Sequence, residues 1–213
     1  MGKAGIILIG GGGHCKSCID AIEQENKFTI AGIIDVPEKF GQNILGYPII
    51  GCDDDLEDLS KKHDNFIITL GQIKTPNIRI SLFKKIRELG GKFPTIISPR
   101  SYISRHSNIG EGTIILHNAT VNASSSIGEN CIINTGVIIE HDSTIEDNCH
   151  ISTRVTLNGN CTVKNGTFIG SGSTINQGIS IAEHCIIGSG SLVLKSISIK
   201  NLNSYETPSK TIN

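Results

Sequence analysis

Two adjacent residues in the C-terminal half of the chain, His141 and Asp142, have side chains suited to general-base catalysis. An imidazole close to a carboxylate is a stronger base and is held in one tautomer, as the removal of a proton from a nucleophile requires. Neighbouring residues on a strand point in opposite directions, so Asp142 can orient His141 only at a corner of the chain or across a subunit boundary. The pair therefore predicts a catalytic base, provided that the position of Asp142 in the fold lets its carboxylate reach the imidazole.

The sequence around this pair is a repeat. Ile, Leu or Val occupies every sixth position from Ile97 to Val193, seventeen times in succession. A helix would need apolar residues three and four apart, and a half-buried strand would need them at every second position, so a period of six indicates a repeat fold. We expect a parallel β-helix with three flat faces, in which three hexapeptides make one coil and the aliphatic residues fill the interior.

In such a β-helix, residues one coil apart, that is eighteen positions apart in sequence, stack at about 4.8 Å. Gly159 should then lie over His141 and leave space for a ligand beside the imidazole. His150 is half a coil from His141, so the two should project from different sides and could share a site only between subunits, as in a threefold assembly. The alternative for a histidine on such a wall is a solvated or interface residue without a chemical role.

The first part of the chain predicts a small α/β unit. The expected strands are 6–9, 29–34 and 66–70, with helices at 15–24 and 77–89 and an exit strand at 93–97. The glycines Gly10–Gly13 open the first helix, so free N–H groups and the positive helix end suit a phosphate. Asp35, which follows the second strand, is placed to accept hydrogen bonds from a ribose or base. The dinucleotide fingerprint fails because Cys15 stands where its last glycine belongs, so a mononucleotide fits better; a purely structural glycine turn is the alternative.

Composition limits the function classes. The chain has 213 residues, 38% of them hydrophobic, and a net charge of −1. This size allows two parts with a substantial core, and the charge argues against nucleic-acid or membrane partners. The early apolar stretch Ile6–Ile9 is too short for a signal peptide or a membrane span, which predicts a cytoplasmic location.

The seven cysteines favour packing over disulfide or metal chemistry. Four share the small position of the hexapeptide: Cys131, Cys149, Cys161 and Cys185. Cys15 and Cys18 lie in the first turns of a predicted helix without a second pair or ligand histidines nearby. No metal site is predicted.

Six motifs occur together in this chain: Ile9-Gly10-Gly11-Gly12-Gly13-His14, Asp35 at a strand end, Leu70-Gly71, Ile139-Glu140-His141-Asp142, Leu157-Asn158-Gly159 and Ile187-Gly188-Ser189-Gly190-Ser191. With them the chain resembles the bacterial sugar acetyltransferases that include nucleotide-sugar N-acetyltransferases and sialic acid O-acetyltransferases. The resemblance implies a small N-terminal α/β Rossmann-like domain followed by a left-handed parallel β-helix of hexapeptide repeats. It implies an α/β nucleotide-sugar-binding domain at 1–96, a β-helix acetyltransferase domain at 97–199 and a C-terminal tail at 200–213.

The resemblance also implies roles for individual residues. His141 is implied as the catalytic base and Asp142 as the residue that raises its basicity. The positions implied to bind the nucleotide-sugar acceptor are Gly12, Gly13, His14, Asp35, Val36 and Gly71. Those implied to contact acetyl-CoA are His150, Gly159, Ser171 and Ser189, with the Gly159 N–H suited to the thioester carbonyl. Positions 206–210 read Glu-Thr-Pro-Ser-Lys where the family often has Gly-x-Pro-Ala-Lys, so tail contacts with the coenzyme are not implied.

From these features we expect a homotrimeric N-acetyltransferase that uses acetyl-CoA as a co-substrate, without a permanently bound cofactor. Its acceptor is expected to be a nucleotide-linked 4-amino-4,6-dideoxy sugar, linked to UDP, GDP or dTDP, for bacterial surface glycan or glycoprotein sugar biosynthesis. The alternative is O-acetylation of sialic acid or a related nonulosonic acid; His150 favours the N-acetyl group. A non-catalytic β-helix binding module is the third possibility.

Overall fold

The computed structural model describes residues 2–198 of the chain. They form an α/β domain followed by a parallel β-helix. The predicted C-terminal tail, 200–213, lies outside the described residues.

The N-terminal domain is a five-stranded sheet with helices. Its elements are β1 (Ala4–Ile9), α1 (Gly13–Glu25), β2 (Phe28–Ile34), β3 (Asn43–Ile44), β4 (Tyr47–Gly51), α2 (Leu56–Ser60), β5 (Asn65–Ile68) and α3 (Asn77–Glu88), with 3-10 turns at Pro37–Lys39 and Asp53–Asp55. The strand order is β3-β4-β2-β1-β5, and only the β3–β4 pair is antiparallel. The carboxyl ends of β1, β2 and β5 therefore lie at one edge of the sheet, which is where ligands bind in parallel α/β sheets.

The predicted strands and helices of this domain are confirmed, with ends that differ by one or two residues. The predicted exit strand 93–97 is too long, because only Ile96–Ile97 pairs with a neighbouring strand. The β3–β4 hairpin and α2 were not predicted from the sequence. Leu45 and Gly46, which join β3 to β4, both have positive φ, as a type I′ turn requires. A leucine in the first of these positions, where Asn or Asp is usual, hid the turn.

The β-helix is built from seventeen two-residue strands, β6 to β22. In order they are Ile96–Ile97, Tyr102–Ile103, Asn108–Ile109, Ile114–Ile115, Thr120–Val121, Ser126–Ile127, Ile132–Ile133, Ile138–Ile139, Thr144–Ile145, His150–Ile151, Thr156–Leu157, Thr162–Val163, Phe168–Ile169, Thr174–Ile175, Ser180–Ile181, Ile186–Ile187 and Leu192–Val193. Each of the seventeen aliphatic positions predicted from the sequence is the second residue of a strand. The six-residue period thus predicted the register of the whole β-helix.

Three parallel sheets form the walls of the β-helix. Face 1 consists of β6, β9, β12, β15, β18 and β21, face 2 of β7, β10, β13, β16, β19 and β22, and face 3 of β8, β11, β14, β17 and β20. The aliphatic residues from Ile115 to Val193 form one buried interior cluster, and the four cysteines of the repeat belong to it. The prediction that these cysteines serve packing is confirmed, since each is at most 1% exposed.

The two domains share a core. The helix α1 packs on β6 of face 1, and Ile114 and Leu116 of the β-helix join a buried cluster with Cys15 and Cys18 of α1. Because apolar side chains from both domains fill this cluster, the N-terminal domain is held against face 1. Any cleft along that junction has walls from both domains.

We predict that Ile139→Ala lowers the free energy of unfolding by about 2–5 kcal/mol, because a fully buried aliphatic side chain is replaced by a cavity. The matched control is Ile138→Ala, whose side chain points outward from the same strand and is 38% exposed. Urea unfolding of both variants measures the difference. Equal losses would show that the inward and outward positions of the repeat are assigned wrongly.

Candidate active site

His141 and Asp142 form a hydrogen-bonded pair at the corner between face 2 and face 3. The imidazole Nδ1 lies 2.7 Å from Asp142 Oδ2. Asp142 has a φ of 59°, and this left-handed conformation at the corner lets its side chain reach the preceding imidazole. A carboxylate only accepts, so Nδ1 is the donor, and in the neutral imidazole Nε2 is the nitrogen with a free lone pair. The expectation that a corner would allow Asp142 to orient His141 is confirmed.

Gly159 lies against the ring of His141, one coil further along. A Cβ added at Gly159 would be 2.7 Å from Cε1 and 2.9 Å from Nε2 of His141, so a larger residue would displace the imidazole. The predicted stacking is confirmed. Within residues 2–198 the Gly159 N–H donates no hydrogen bond, so it is free to donate to a ligand beside the base.

A second group of site residues lines a cleft of about 950 Å³ between the N-terminal domain and face 1. Four of them were predicted from the sequence: Gly13, His14, Gly71 and His150. The ring centroids of His14 and His150 are 6.3 Å apart. The other lining residues were not predicted from the sequence: Ser17, Gln72, Ile73, Lys74, Asn134, Thr135 and Thr153. The last three stand at outward or corner positions of the repeat. That position could identify them as site residues only if it were already known that the N-terminal domain covers face 1.

His14 and His150 are both neutral in this cleft. Burial, together with the positive charge of the nearby Arg79 guanidinium, lowers the pKa of His14 to about 3 and that of His150 to about 4. Neutral imidazoles here can donate one hydrogen bond and accept another, but they do not contribute charge.

Arg79, in α3, is a buried cation that bridges the two domains. It is 2% exposed and donates to the backbone carbonyls of Ile68 and Leu70, and to the backbone and side-chain oxygens of Asn130 in the β-helix. All four acceptors are neutral oxygens. In the described part of the chain no carboxylate forms an ion pair with Arg79, so its charge remains available to favour an anion nearby.

Asp35 and Val36 lie with Gly10 on a separate cavity of about 340 Å³ at the carboxyl edge of the sheet. The Asp35 carboxylate accepts the N–H groups of Gly11 (3.0 Å) and Val36 (2.8 Å), and it also accepts from Lys39 Nζ (2.8 Å). It therefore holds the glycine loop in place in addition to any contact with a ligand. A carboxylate has about four lone pairs, which leaves room for one further donor.

Gly12 and Gly13 lie at the N-terminus of α1. Gly12 is the N-cap residue, no side chain caps the helix, and its first turn contains no acidic residue. Both glycines are exposed, and a Cβ at either would meet no atom within 4 Å. Within residues 2–198 neither N–H donates a hydrogen bond, so this helix end has free donors at an open surface, as the predicted phosphate site requires.

Ser171 and Ser189 lie at the corner between face 1 and face 2, stacked on Thr153, which lines the cleft. Gly172 donates to the Thr153 carbonyl and Gly190 to the Ser171 carbonyl, so the column continues coil by coil away from the cleft. His141 and Gly159 occupy the next corner. Within one chain face 2 separates the His141 pair from the cleft, which confirms the prediction that His141 and His150 project from different sides.

The cysteines supply neither a reactive thiolate nor a metal site in the described part of the chain. The seven cysteines are free thiols, and burial raises the pKa of Cys15 to about 11, so this thiol stays protonated. Among residues 2–198, no three His, Cys, Asp or Glu side chains are placed to share a metal ion. No helix in the same range has the length and apolar character needed to cross a bilayer.

Two protein families match parts of the chain. The PglD N-terminal domain family matches residues 5–86, and the bacterial transferase hexapeptide family (six repeats) matches residues 124–159 and 160–195. A search of curated protein sequences finds no match. The two matched regions correspond to the α/β domain and to most of the β-helix.

Solved structures match the chain over nearly its whole length. PerB from Caulobacter crescentus, in complex with CoA and GDP-perosamine, is 30% identical with a TM-score of 0.85, over 91% of this chain and 90% of that one. A GDP-perosamine N-acetyltransferase from the same organism, with a histidine replaced by alanine, is 29% identical with a TM-score of 0.86 over the same shares, 91% and 90%. The acetyltransferase domain of PglB from Neisseria gonorrhoeae, in complex with acetyl coenzyme A, is 25% identical with a TM-score of 0.84, over 92% and 93%. The expected fold class, including the left-handed winding, is that of this group.

The buried neutral state of His150 predicts how stability depends on pH. An unfolded histidine takes up a proton at about pH 6.5, whereas His150 in the folded protein takes one up only at about pH 4. The unfolded state binds more protons between these values, so the free energy of unfolding should fall as the pH is lowered from 6.5 to 4. The full loss from His150 is on the order of 3 kcal/mol.

Urea unfolding between these pH values tests this prediction. His150→Asn, which cannot be protonated, should show a shallower pH dependence than the wild type, while His106→Asn, which replaces an exposed histidine, should not. Identical slopes for the wild type and His150→Asn would show that His150 titrates normally in the folded protein.

Proposed function

Because the chain belongs to the hexapeptide-repeat sugar N-acetyltransferases, we propose that it transfers the acetyl group of acetyl-CoA to the amino group of a nucleotide-linked amino sugar. The observation that carries this proposal is the His141–Asp142 pair, whose unprotonated Nε2 lies beside a glycine with a free N–H. PerB, whose structure contains CoA and GDP-perosamine, is the relative that supports an amino-sugar acceptor.

In the proposed reaction, His141 Nε2 accepts a proton from the amino group while the nitrogen attacks the thioester carbonyl carbon. The Gly159 N–H donates to the carbonyl oxygen as that oxygen gains negative charge. The carbon–sulfur bond then breaks, and the CoA sulfur takes the proton from His141. The products are an amide and the free thiol of CoA. No covalent enzyme intermediate forms, so none of the cysteines needs to act as a nucleophile.

The N-terminal domain would hold the acceptor. The exposed N–H groups of Gly12 and Gly13 suit the diphosphate, since the helix end is positive there. The cavity beside Asp35 and Val36 has a volume, about 340 Å³, that suits a nucleoside. Gly71, with His14, lines the adjacent cleft, where the sugar would lie.

We propose further that the active site forms between subunits of a homotrimer. His150, Ser171 and Ser189 lie on or beside face 1, whereas Gly159 lies at the corner with His141, so one chain alone does not surround a single acetyl-CoA molecule. Threefold packing of β-helices would bring the His141 corner of one subunit to the cleft of its neighbour. The nucleobase, the surface-glycan or glycoprotein pathway and the cytoplasmic location stay predictions.

We expect the purified protein to release CoA thiol from acetyl-CoA with at least one UDP-, GDP- or dTDP-linked 4-amino-4,6-dideoxy sugar. His141→Ala should lower turnover by about 10²- to 10⁴-fold with little change in stability, because the exposed base is lost and the fold is kept. Asp142→Asn should lower turnover less, since the imidazole remains. The matched control is His184→Ala, which removes another corner histidine that also lies against a glycine, Gly166.

Two outcomes would contradict this proposal. Acetylation of free sialic acid in preference to every nucleotide sugar would support the O-acetyltransferase alternative instead. Equal turnover by His141→Ala and His184→Ala would remove His141 from the chemistry.

The intersubunit site predicts complementation between two inactive variants. His141→Ala removes the base, and Gly71→Phe fills the cleft, so each homotrimer should be inactive. Random mixing of the two chains by coexpression should restore about one quarter of the sites, because a site needs an intact His141 from one subunit and an intact cleft from the next. Light scattering should give about 68 kDa, three times 22.8 kDa. An active monomer, or mixed trimers without activity, would show that sites do not form between subunits.

A further inference from the structure

The proton on His150 can be assigned from a single contact. The imidazole Nδ1 lies 2.5 Å from the backbone carbonyl oxygen of Gln72. A carbonyl oxygen only accepts, so Nδ1 must be the donor and must carry a proton. If His150 is neutral, its other nitrogen, Nε2, then has a free lone pair.

His150 is held neutral by its surroundings. Its side chain lies against Phe168 with an edge-to-face geometry, and the residue is 7% exposed. Burial, opposed in part by the bond to Gln72 and reinforced by the positive charge of Arg79, lowers its pKa to about 4. The groups that face it from the N-terminal domain, His14 and Gln72, provide no negative charge that would favour protonation.

The Nε2 atom has no strong partner among residues 2–198. Its contact there is the side-chain amide nitrogen of Asn134, at 3.4 Å, which is long for a hydrogen bond. Both His150 and Asn134 line the cleft. A ligand in the cleft can therefore satisfy Nε2 only by donating an N–H or O–H to it.

Gln72 is fixed in position by the β-helix itself. Its side-chain nitrogen donates to the carbonyl of Asn148 at 2.9 Å and to the carbonyl of Gly166 at 3.4 Å, two residues on successive coils. Gln72 is 2% exposed, and no other residue of the loop 71–75 makes a side-chain hydrogen bond to the β-helix among the described residues. The side-chain amide of Gln72 therefore fixes the position of the Gln72 backbone carbonyl, which accepts the hydrogen bond from His150 Nδ1.

We infer that Gln72 is a positioning residue: it fixes His150 as the Nδ1–H tautomer, so that Nε2 accepts a hydrogen bond from an amide N–H in the pantetheine arm of acetyl-CoA. This inference rests on the proposed function for the identity of the donor. The thioester itself has no hydrogen to donate, whereas the arm contains two amide N–H groups. Gly71, assigned to the acceptor, directly precedes Gln72, which positions His150 for acetyl-CoA. One loop therefore acts on both substrates.

Ring-labelled histidine spectra of the wild-type protein test the tautomer directly. With the His150 signals assigned by their loss in His150→Asn, Nδ1 should be protonated and Nε2 unprotonated at pH 7. Addition of acetyl-CoA should shift the Nε2 signal, and addition of the nucleotide sugar alone should not. A protonated Nε2 in the free protein, or a shift caused by the nucleotide sugar alone, would overturn the inference.

Kinetics of a loop variant test the positioning role. Gln72→Met keeps the shape of the side chain but removes the donor, so the KM for acetyl-CoA should rise about fivefold to tenfold while kcat and the acceptor KM change by less than about twofold. The same variant should lose the pure Nδ1–H spectrum. The control is Thr75→Ser, a conservative change at an exposed residue of the same loop that does not line the cleft, and it should match the wild type.

The two readouts separate this inference from the proposed function. A wild-type Nδ1–H spectrum that Gln72→Met abolishes, in a protein that acetylates no nucleotide sugar, would support the positioning role and refute the proposed acceptor. Acetyl transfer by a protein in which Gln72→Met leaves both the spectrum and the acetyl-CoA KM unchanged would refute the positioning role alone. If Gln72→Met does not fold, the wild-type spectrum and its response to acetyl-CoA decide.

Discussion

The coil of three hexapeptides is the constraint on which the site depends. Seventeen aliphatic residues fill one interior column of contacts, and because each occupies the same position in a strand, the coils stack without slipping. A shift of one residue would turn the aliphatic side chains outward and bury polar ones. The same register places Gly159 against His141 and gives each corner a fixed column of residues. Catalytic geometry in this protein is therefore a consequence of how the interior is packed.

The second requirement is a firm junction between the two domains. Apolar residues of α1 and the first coils share a buried cluster, and Arg79 adds four hydrogen bonds, two of them to Asn130 of the β-helix. Among residues 2–198 Arg79 has no carboxylate partner and its Nε has no hydrogen-bond partner, so the four bonds of its terminal nitrogens must offset the cost of burying the charge. Breaking them would be costly, so this junction tolerates little movement. Its charge also acts on the cleft, where it helps to keep His14 and His150 neutral.

The histidines of the chain thus occupy two kinds of environment. His141 is more than half exposed, has a carboxylate partner and has an open nitrogen, which suits a group that takes up and releases a proton. His150 is buried, neutral and bonded to a backbone carbonyl, which suits a group that recognises a ligand without changing its charge. The same side chain therefore serves different purposes, and the difference comes from solvent access and from the atom bonded to Nδ1.

The sequence by itself determined the β-helix, its register and the contact between His141 and Gly159, because a strict six-residue period repeats the same local structure and leaves one arrangement of inward and outward residues. It also predicted the glycine loop and the carboxyl edge of the sheet, since these depend on neighbours in the chain. Only the tertiary structure revealed Arg79, Gln72 and the cleft around His150. Their contacts between the two domains join residues 51 to 94 apart in sequence, and such contacts follow from how the α/β domain docks on face 1, which no local pattern encodes.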